Sequence, residues 1–118
     1  MSDERRARIE RVTKETKITG TVNLDGGGHY QVATGIGFLD HMLGTLSRHS
    51  QVDLELSCRG DLDVDGHHTS EDCALAIGQA VDSCLGERRG IARFGYAYAP
   101  LDEALARAVI DLSGRPFA

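Results

Sequence analysis

The spacing of apolar residues changes several times along the chain, and each change predicts a new element. Within residues 7 to 25 the period is two, because Ile18, Val22 and Leu24 alternate with polar side chains, as in a half-buried strand. A glycine triplet follows at positions 26 to 28, and glycine adopts positive φ without steric cost. We therefore predict a hairpin that returns through a second strand at Tyr30 and Val32.

Two later stretches have the longer period of an amphipathic helix. In residues 35 to 50 the large apolar residues have the spacing of one buried helix face: Phe38, Leu39, Met42, Leu43 and Leu46. The stretch that follows position 66 does the same at Ile77, Ala80, Val81, Cys84 and Leu85. Gly86 is the expected C-terminal stop of this second helix.

Alternation with a period of two returns on either side of the second helix. Before it, Val52, Leu54, Leu56 and Cys58 alternate with polar residues and predict the clearest strand of the chain. After it, the pattern favours a strand over a helix, because every second residue is apolar at Ala106, Ala108, Ile110 and Leu112.

The predicted order is strand, strand, helix, strand, helix and then further strands. This order predicts an α/β fold, an α+β two-layer sandwich in which one mixed sheet carries two helices on one face. A faint internal likeness joins ETKITGTVNLDG at residues 15 to 26 with EALARAVIDLSG at residues 103 to 114. We interpret residues 1–91 as the first half of a repeat and residues 92–118 as the opening strands of a second half that is cut short.

Composition excludes several classes of function. A net charge of −5 disfavours nucleic acid as the partner, and no apolar run is long enough to cross a bilayer. The three cysteines show no CxxC spacing, so we interpret them as small buried hydrophobes in a reducing compartment and not as metal ligands or a disulfide. The N-terminus lacks a signal-peptide pattern. We expect a cytoplasmic protein with no nucleic-acid or membrane partner.

The densest chemistry lies in VDGHHTSED, residues 64 to 72. Neighbouring residues on a helix diverge by about 100°, so His67 and His68 would not share one small ion. Glu71 follows them by four and three residues and lies on the same side as both. Such a mixed donor set suits zinc, iron or manganese. A polar helix start is the other interpretation, because Asp65 or Thr69 could cap the helix and Thr69-x-x-Asp72 fits a capping box.

Further polar candidates lie outside this segment. His41, Thr45 and His49 are expected on the polar side of the first helix, opposite its apolar stripe, which a solvated face would equally explain. Arg93 and Arg115 stand beside glycine in RFG and SGRP. A guanidinium near flexible backbone suits a phosphate or a carboxylate, although arginine is also common on ordinary surfaces.

Four stretches together resemble the signature segments of the imidazoleglycerol-phosphate dehydratase family: GIGFLDHML, GDLDVDGHHTSEDCALAIGQA, GIARFG and DLSGRP. The likeness runs from about Arg8 to the end of the chain. The resemblance implies a hydro-lyase of histidine biosynthesis that uses manganese and converts imidazole glycerol phosphate to imidazole acetol phosphate. It also implies a fold of two repeated halves and a homo-oligomeric, 24-subunit shell with manganese ions at subunit interfaces, two per complete site.

The resemblance assigns roles by position. Metal ligands are matched by His41, His67, His68 and Glu71, with the adjacent histidines serving different manganese ions. Glu15 in TKET matches an acidic residue at the substrate and is the expected proton acceptor, and Glu71 is a second catalytic candidate. Arg93 and Arg115 match arginines that bind the substrate, and their expected partner is its phosphate. Contacts with the substrate are thus expected from Glu15, His41, His49, His67, His68, Glu71, Arg93 and Arg115.

Two departures from the family's pattern bear on the activity of this chain. Gly66 stands where the family commonly has a second acidic residue before the histidine pair. After His68 the sequence has no histidine, so the chain holds one half of the family's ligands, and a second copy of the same segment is the expected source of the rest. Two alternatives stay open. One is a truncated fragment without activity that folds and self-associates as a metal-binding or assembly module, and the other is an unrelated zinc hydrolase.

Overall fold

The computed structural model of the chain describes residues 4 to 118 as eight elements in two compact units. The first unit ends at Cys84 and the second begins at Leu85. The predicted division into repeat halves after residue 91 stays a prediction. The elements are β1 (Arg6–Val12), β2 (Thr16–Asn23), β3 (Tyr30–Ala33), α1 (Gly37–Ser50), β4 (Asp53–Gly60), α2 (His67–Leu85), β5 (Phe94–Leu101) and β6 (Ala104–Asp111).

The first unit is a mixed sheet with strand order β1-β2-β4-β3. Strand β2 pairs antiparallel with both β1 and β4, and β3 pairs parallel with β4. Alternation places Ile18 and Val22 of β2 and Leu54 and Leu56 of β4 in one core, each 3% exposed or less. Residues from both helices pack on that core, so the predicted α+β fold is confirmed: Leu43 of α1, with Cys73, Ala76 and Ala80 of α2.

The structure corrects the prediction for the N-terminal strands. Strand β1 was not predicted, because Ile9 is its only large buried side chain among charged neighbours. The predicted hairpin at the glycine triplet is wrong, since β3 pairs with β4 and not with β2. Both edges of β2 are occupied by β1 and β4. The loop is held instead by Asp53, whose Oδ1 accepts hydrogen bonds from the backbone N–H groups of Gly27 and His29, both at 2.9 Å.

The predicted buried face of α1 is also wrong in part. Phe38, Met42 and Leu46 are 75%, 47% and 56% exposed. The sheet side of the helix carries smaller groups, because Gly44 lies so close to Tyr30 that an added Cβ would stand 2.6 Å from the ring. Buried Ser47 donates to the carbonyl of Val52 at 2.6 Å, which satisfies its hydroxyl. A tight polar contact thus replaces the expected apolar one.

This rotation of α1 changes the position of its histidines. At about 100° per residue, the exposed side chains of His41 and His49 lie on the same outward side as Phe38, Met42 and Leu46. The prediction that the histidines lie opposite the apolar stripe is therefore wrong.

The C-terminal half of the chain follows the sequence pattern more closely. Gly86, with φ at +53°, ends α2 as expected. The predicted strand after α2 is confirmed as β6, which pairs antiparallel with β5, and every residue of these two strands is exposed. Cys58 and Cys73 are buried free thiols as predicted, and burial raises the pKa of Cys73 to about 12. No helix within residues 4 to 118 has the length and apolar character to cross a membrane.

Candidate functional site

Strand register places several candidate residues of the first unit at one end of the sheet. Thr16 of β2 pairs with Gly60 of β4, so the residues just beyond them, Glu15 and Asp61, lie at the same end. The starts of the two helices lie close together. An added Cβ on Gly66, just before α2, would stand 3.0 Å from the side chain of Ile36, just before α1. The turn between β1 and β2, the end of β4 and the starts of both helices therefore meet.

The two adjacent histidines at the start of α2 have different partners. Their rings are edge-to-face, 5.9 Å apart between centroids with an interplanar angle of 74°. His67 Nε2 lies 3.1 Å from Glu71 Oε2, one turn along the helix. His68 Nδ1 lies 2.7 Å from Asp61 Oδ2, on the loop after β4. The predicted divergence of the pair is thus present in the structure.

Several carboxylates make this end of the sheet electronegative. The hydrogen bond with Asp61 raises the pKa of His68, and the charges of Asp61, Glu15 and Asp65 raise it further. Glu15 is therefore close enough to act on this imidazole electrostatically. Such a concentration of negative charge favours a cation at the site.

The start of α2 is held differently from the prediction. Asp65 Oδ1 accepts the backbone N–H of His67 at 2.8 Å. Asp65, one of the two predicted caps, thus satisfies the first N–H group of the helix. The capping box is wrong, because Thr69 is fully buried and its Oγ1 has no hydrogen-bond partner among the described residues. Asp72 instead accepts hydrogen bonds from Thr16 Oγ1 at 2.5 Å and from Arg11 Nη2 at 3.2 Å.

Thr13 also binds Asp72, and the sequence analysis did not single out this residue. Its hydroxyl donates to Asp72 Oδ2 at 3.2 Å and accepts the backbone N–H of Glu15 at 3.1 Å. The bonds from Thr16, Arg11 and Thr13 hold the pKa of Asp72 below its ordinary value, against the opposing effect of burial. One buried carboxylate thus fixes the Glu15 turn against the helix that carries the histidines. A threonine in a turn gives no local sign of such a distant contact.

His41 and His49 are not brought together with the histidine pair by any described contact. His41 lies in the first turn and a half of α1, whereas His49 lies eight residues further on, about 12 Å along the helix axis. Within residues 4 to 118 no group of three or more His, Cys, Asp or Glu side chains is placed to hold a metal ion. The donors fit a borderline or hard cation in kind, but too few of them converge to complete a site.

Both candidate arginines belong to the second unit and flank one carboxylate. Arg93 donates from Nε and Nη2 to the two oxygens of Asp111, at 2.5 and 3.0 Å. Arg115 and Asp111 line the same pocket of ≈ 430 Å³. The hydrogen bond from Arg93 lowers the pKa of Asp111, and the charge of Arg115 adds to this effect. The fork of Arg93 therefore already binds a planar carboxylate, and Asp111 is a partner of this candidate arginine that the sequence analysis did not single out.

Comparison with known proteins identifies related chains. The family model described as imidazoleglycerol-phosphate dehydratase matches residues 34–118. The imidazoleglycerol-phosphate dehydratase of Zymomonas mobilis is 58% identical over 114 residues, which cover 97% of this chain and 58% of that protein. The protein of the same name from Phytophthora nicotianae is 60% identical over 114 residues, which cover 97% of this chain and 25% of that protein.

A solved structure agrees with the fold. The crystal structure of imidazoleglycerol-phosphate dehydratase from Staphylococcus aureus matches with a TM-score of 0.80 and 33% sequence identity, over 95% of this chain and 60% of that one. The chain thus spans little more than half the length of the bacterial relatives that it matches.

Proposed function

The chain belongs to the imidazoleglycerol-phosphate dehydratase family, and from this premise we propose that it supplies half of a manganese-dependent dehydratase site. The reaction would eliminate water from imidazole glycerol phosphate in histidine biosynthesis and yield imidazole acetol phosphate. The observation that carries the proposal is the divergence of His67 and His68 at the electronegative end of the sheet, where each has its own carboxylate partner. Two imidazoles so arranged suit two different metal ions.

The chain's own metal ligands would be His41, His67, His68 and Glu71. Manganese, when bound, would orient the imidazole ring of the substrate and control its electron density. No group of three such side chains converges within residues 4 to 118, so a second ligand set is required. This is the specific observation that also favours the second candidate function, an inactive half-domain that binds metal or self-associates.

Glu15 is proposed to take the proton from the second substrate carbon from the ring, with Glu71 as a second catalytic candidate. The turn that carries Glu15 is held by Thr13 and, through Thr13, by Asp72, so the backbone at Glu15 has a fixed position from which its carboxylate can reach the substrate. The C–O bond at the carbon attached to the ring then breaks, and the departing hydroxide is protonated, so that the proton taken from the substrate and the hydroxyl group together make up the water that is lost. The resulting enol then tautomerises to the ketone product.

The phosphate of the substrate is assigned to Arg93 and Arg115. The bidentate bond of Arg93 with Asp111 supports a role in binding an oxyanion through two of its oxygens. Phosphate binding by Arg93 requires that the guanidinium exchange Asp111 for the substrate or use its remaining N–H groups. His49 is proposed to line the substrate site from the outward side of α1.

A second copy of the chain is the proposed source of the missing ligands. The outward side of α1 exposes Phe38, Met42 and Leu46 at intervals of four residues, beside His41 and His49. A twofold contact would cover the same apolar stripe on both copies and would bring two equivalent ligand sets towards each other. A homo-oligomer in the cytoplasm, where the three free thiols stay reduced, fits this proposal.

The test is a dehydratase assay on the purified chain with imidazole glycerol phosphate and manganese. We expect turnover that a chelator abolishes and that the double variant His67→Ala/His68→Ala loses. Glu15→Gln is expected to slow turnover by about 10²–10⁴-fold and to leave manganese binding unchanged. His29→Ala is the matched control, because this exposed histidine has no part in the proposed site.

The outcomes separate the two candidate functions. Manganese binding without turnover at any protein concentration would support the half-domain function. Turnover that persists in the double variant would overturn the proposed site.

A further inference from the structure

We propose that Asp61 is a positioning residue that fixes the tautomer and the direction of His68. Its carboxylate accepts the Nδ1–H of the imidazole, with Nδ1 and Oδ2 2.7 Å apart. Nε2 then carries the lone pair and is the nitrogen presented for a metal ion. The proposal rests on the metal-ligand role of His68 given above.

Asp61 stands on backbone that has little freedom to move. It follows Gly60, where an added Cβ would collide with Thr69 Oγ1 and would stand 3.6 Å from Thr16. Its own carbonyl accepts the N–H of Val64 at 2.9 Å, which closes a turn directly after β4. The carboxylate is therefore carried by the end of a core strand and by a closed turn, as a precise site requires.

The Asp61 carboxylate has no other described task. Its side chain is only 22% exposed, and its second oxygen, Oδ1, is buried without a hydrogen-bond partner in the part of the chain that the structure describes. Buried carboxylate oxygens are rarely left unpaired. Within the described residues, the bond with His68 is thus the hydrogen bond that this carboxylate makes.

The chemistry of imidazole makes this bond decisive for metal binding. A neutral imidazole has one N–H and one lone pair, so the hydrogen-bond partner of one nitrogen determines what the other can do. Metal-binding histidines commonly donate the remaining N–H to a carboxylate, which orients the ring and makes the ligand more basic. His68 and Asp61 have this arrangement in the structure.

The neighbouring histidine provides an internal comparison. His67 lies on the same turn of α2, but its Nε2 and not its Nδ1 faces a carboxylate, that of Glu71 at 3.1 Å. Both groups of that pair are exposed, at 71% and 57%, whereas His68 is 43% exposed. A change at Asp61 is therefore expected to alter His68 and to leave His67 unchanged.

The first measurement is the tautomer of each histidine, read from long-range ¹H–¹⁵N correlation spectra of ¹⁵N-labelled chain at alkaline pH without metal. We expect His68 to carry its proton on Nδ1 in the unchanged chain. In Asp61→Ala and in the isosteric Asp61→Asn, we expect that proton to be shared between the two nitrogens or moved to Nε2. Asp65→Asn is the matched control, because the described bond of this nearby carboxylate is to backbone.

The second measurement is manganese affinity by calorimetric titration. Asp61→Asn is expected to weaken binding by about 10–100-fold, and Asp61→Glu is expected to restore part of the loss. Circular dichroism and the unfolding midpoint identify any variant that fails to fold. If Asp61→Ala does not fold, the conclusions are drawn from Asp61→Asn, which keeps the shape of the side chain.

These results separate the present inference from the proposed function. An Nε2–H tautomer of His68 in the unchanged chain would overturn the role of Asp61. An unchanged manganese affinity in Asp61→Asn would also overturn it and would leave the proposed site intact. Failure of the unchanged chain to bind manganese at any concentration would instead overturn the metal-ligand role on which the inference rests.

Discussion

The two compact units contain similar alternating strands and differ in what covers them. In β2 of the first unit, Ile18 and Val22 are 0% and 1% exposed. The internal likeness aligns these positions with Ala106 and Ile110 of β6, where both residues are exposed and Ile110 is 57% exposed. Alternation therefore predicts a strand in both places, but burial depends on helices that only the first unit has.

The hairpin of the second unit nevertheless has the composition of a covered sheet face. Its pairing places eight residues, all glycine or apolar, on one face: Gly95, Ala97, Ala99 and Leu101 of β5 with Ala104, Ala106, Ala108 and Ile110 of β6. Two strands without a covering layer are marginally stable in water. The first unit should thus unfold as a cooperative core, and the second should contribute little to that transition.

The largest expected difference between the units is in the free energy of unfolding that is lost when one isoleucine of each unit is replaced by alanine. Ile18→Ala should lower the free energy of unfolding by about 2–5 kcal/mol, because it leaves a cavity in the core. Ile110→Ala should change it by less than about 0.5 kcal/mol, as expected of an exposed residue. Urea denaturation monitored by circular dichroism measures both, and equal losses would contradict the comparison.

A second pair of substitutions compares the two carboxylates that bind arginine. Asp72→Asn should cost about 1.5–3 kcal/mol, because it weakens charge-assisted hydrogen bonds at a buried position. Asp111→Asn removes an exposed pair with Arg93, side chains 43% and 48% exposed, and should cost much less, because water screens exposed ion pairs. Thermal unfolding of both variants tests the order, and a larger loss in Asp111→Asn would reverse the argument.

Glycine positions give a third, smaller contrast. An added Cβ on Gly20 would collide with the Glu55 carbonyl of β4, whereas one on Gly95 in β5 would meet nothing within 4 Å. Gly20→Ala should therefore destabilise the core by about 1–3 kcal/mol. Gly95→Ala should leave the unfolding midpoint unchanged or slightly raised, since alanine restricts the unfolded chain. A neutral Gly20→Ala would show that β2 and β4 are less closely paired.

The smallest effect is a dependence on pH near the acid limit. Hydrogen bonds from Arg5 lower the pKa of Asp25 to about 2, below its ordinary value of about 3.9. Because the folded-state pKa is lowered, the stability from this pair is present above about pH 4 and is lost as pH falls through 2. Asp25→Asn should flatten the rise of core stability between pH 2 and pH 4. Asp111→Asn, in the hairpin, should leave that slope as it is.

The sequence predicted the parts of the fold that depend on local pattern. The period-two runs at β4 and β6 and the stop at Gly86 are present as expected. The pairing of the strands was not predicted correctly. The sequence pattern does not show which strand edges are free, and this decides that β3 pairs with β4 and not with β2. The inward side of α1 was misjudged, because contact through Gly44 and Ser47 leaves the larger side chains outside.

The candidate site shows the same division between local and distant information. The divergence of His67 and His68 follows from helix geometry alone. The roles of Thr13 and Asp72 follow from a contact between residues 59 positions apart in the chain, and the role of Asp61 follows from a contact with His68 across the loop between β4 and α2. Pattern within a single segment does not contain such pairings.

The most direct test of the central claim, that the chain holds half of a metal site, is sedimentation equilibrium during a manganese titration. The account predicts that manganese binds together with self-association and that His67→Ala/His68→Ala abolishes both. A chain that stays monomeric and binds no manganese across the titration would contradict it.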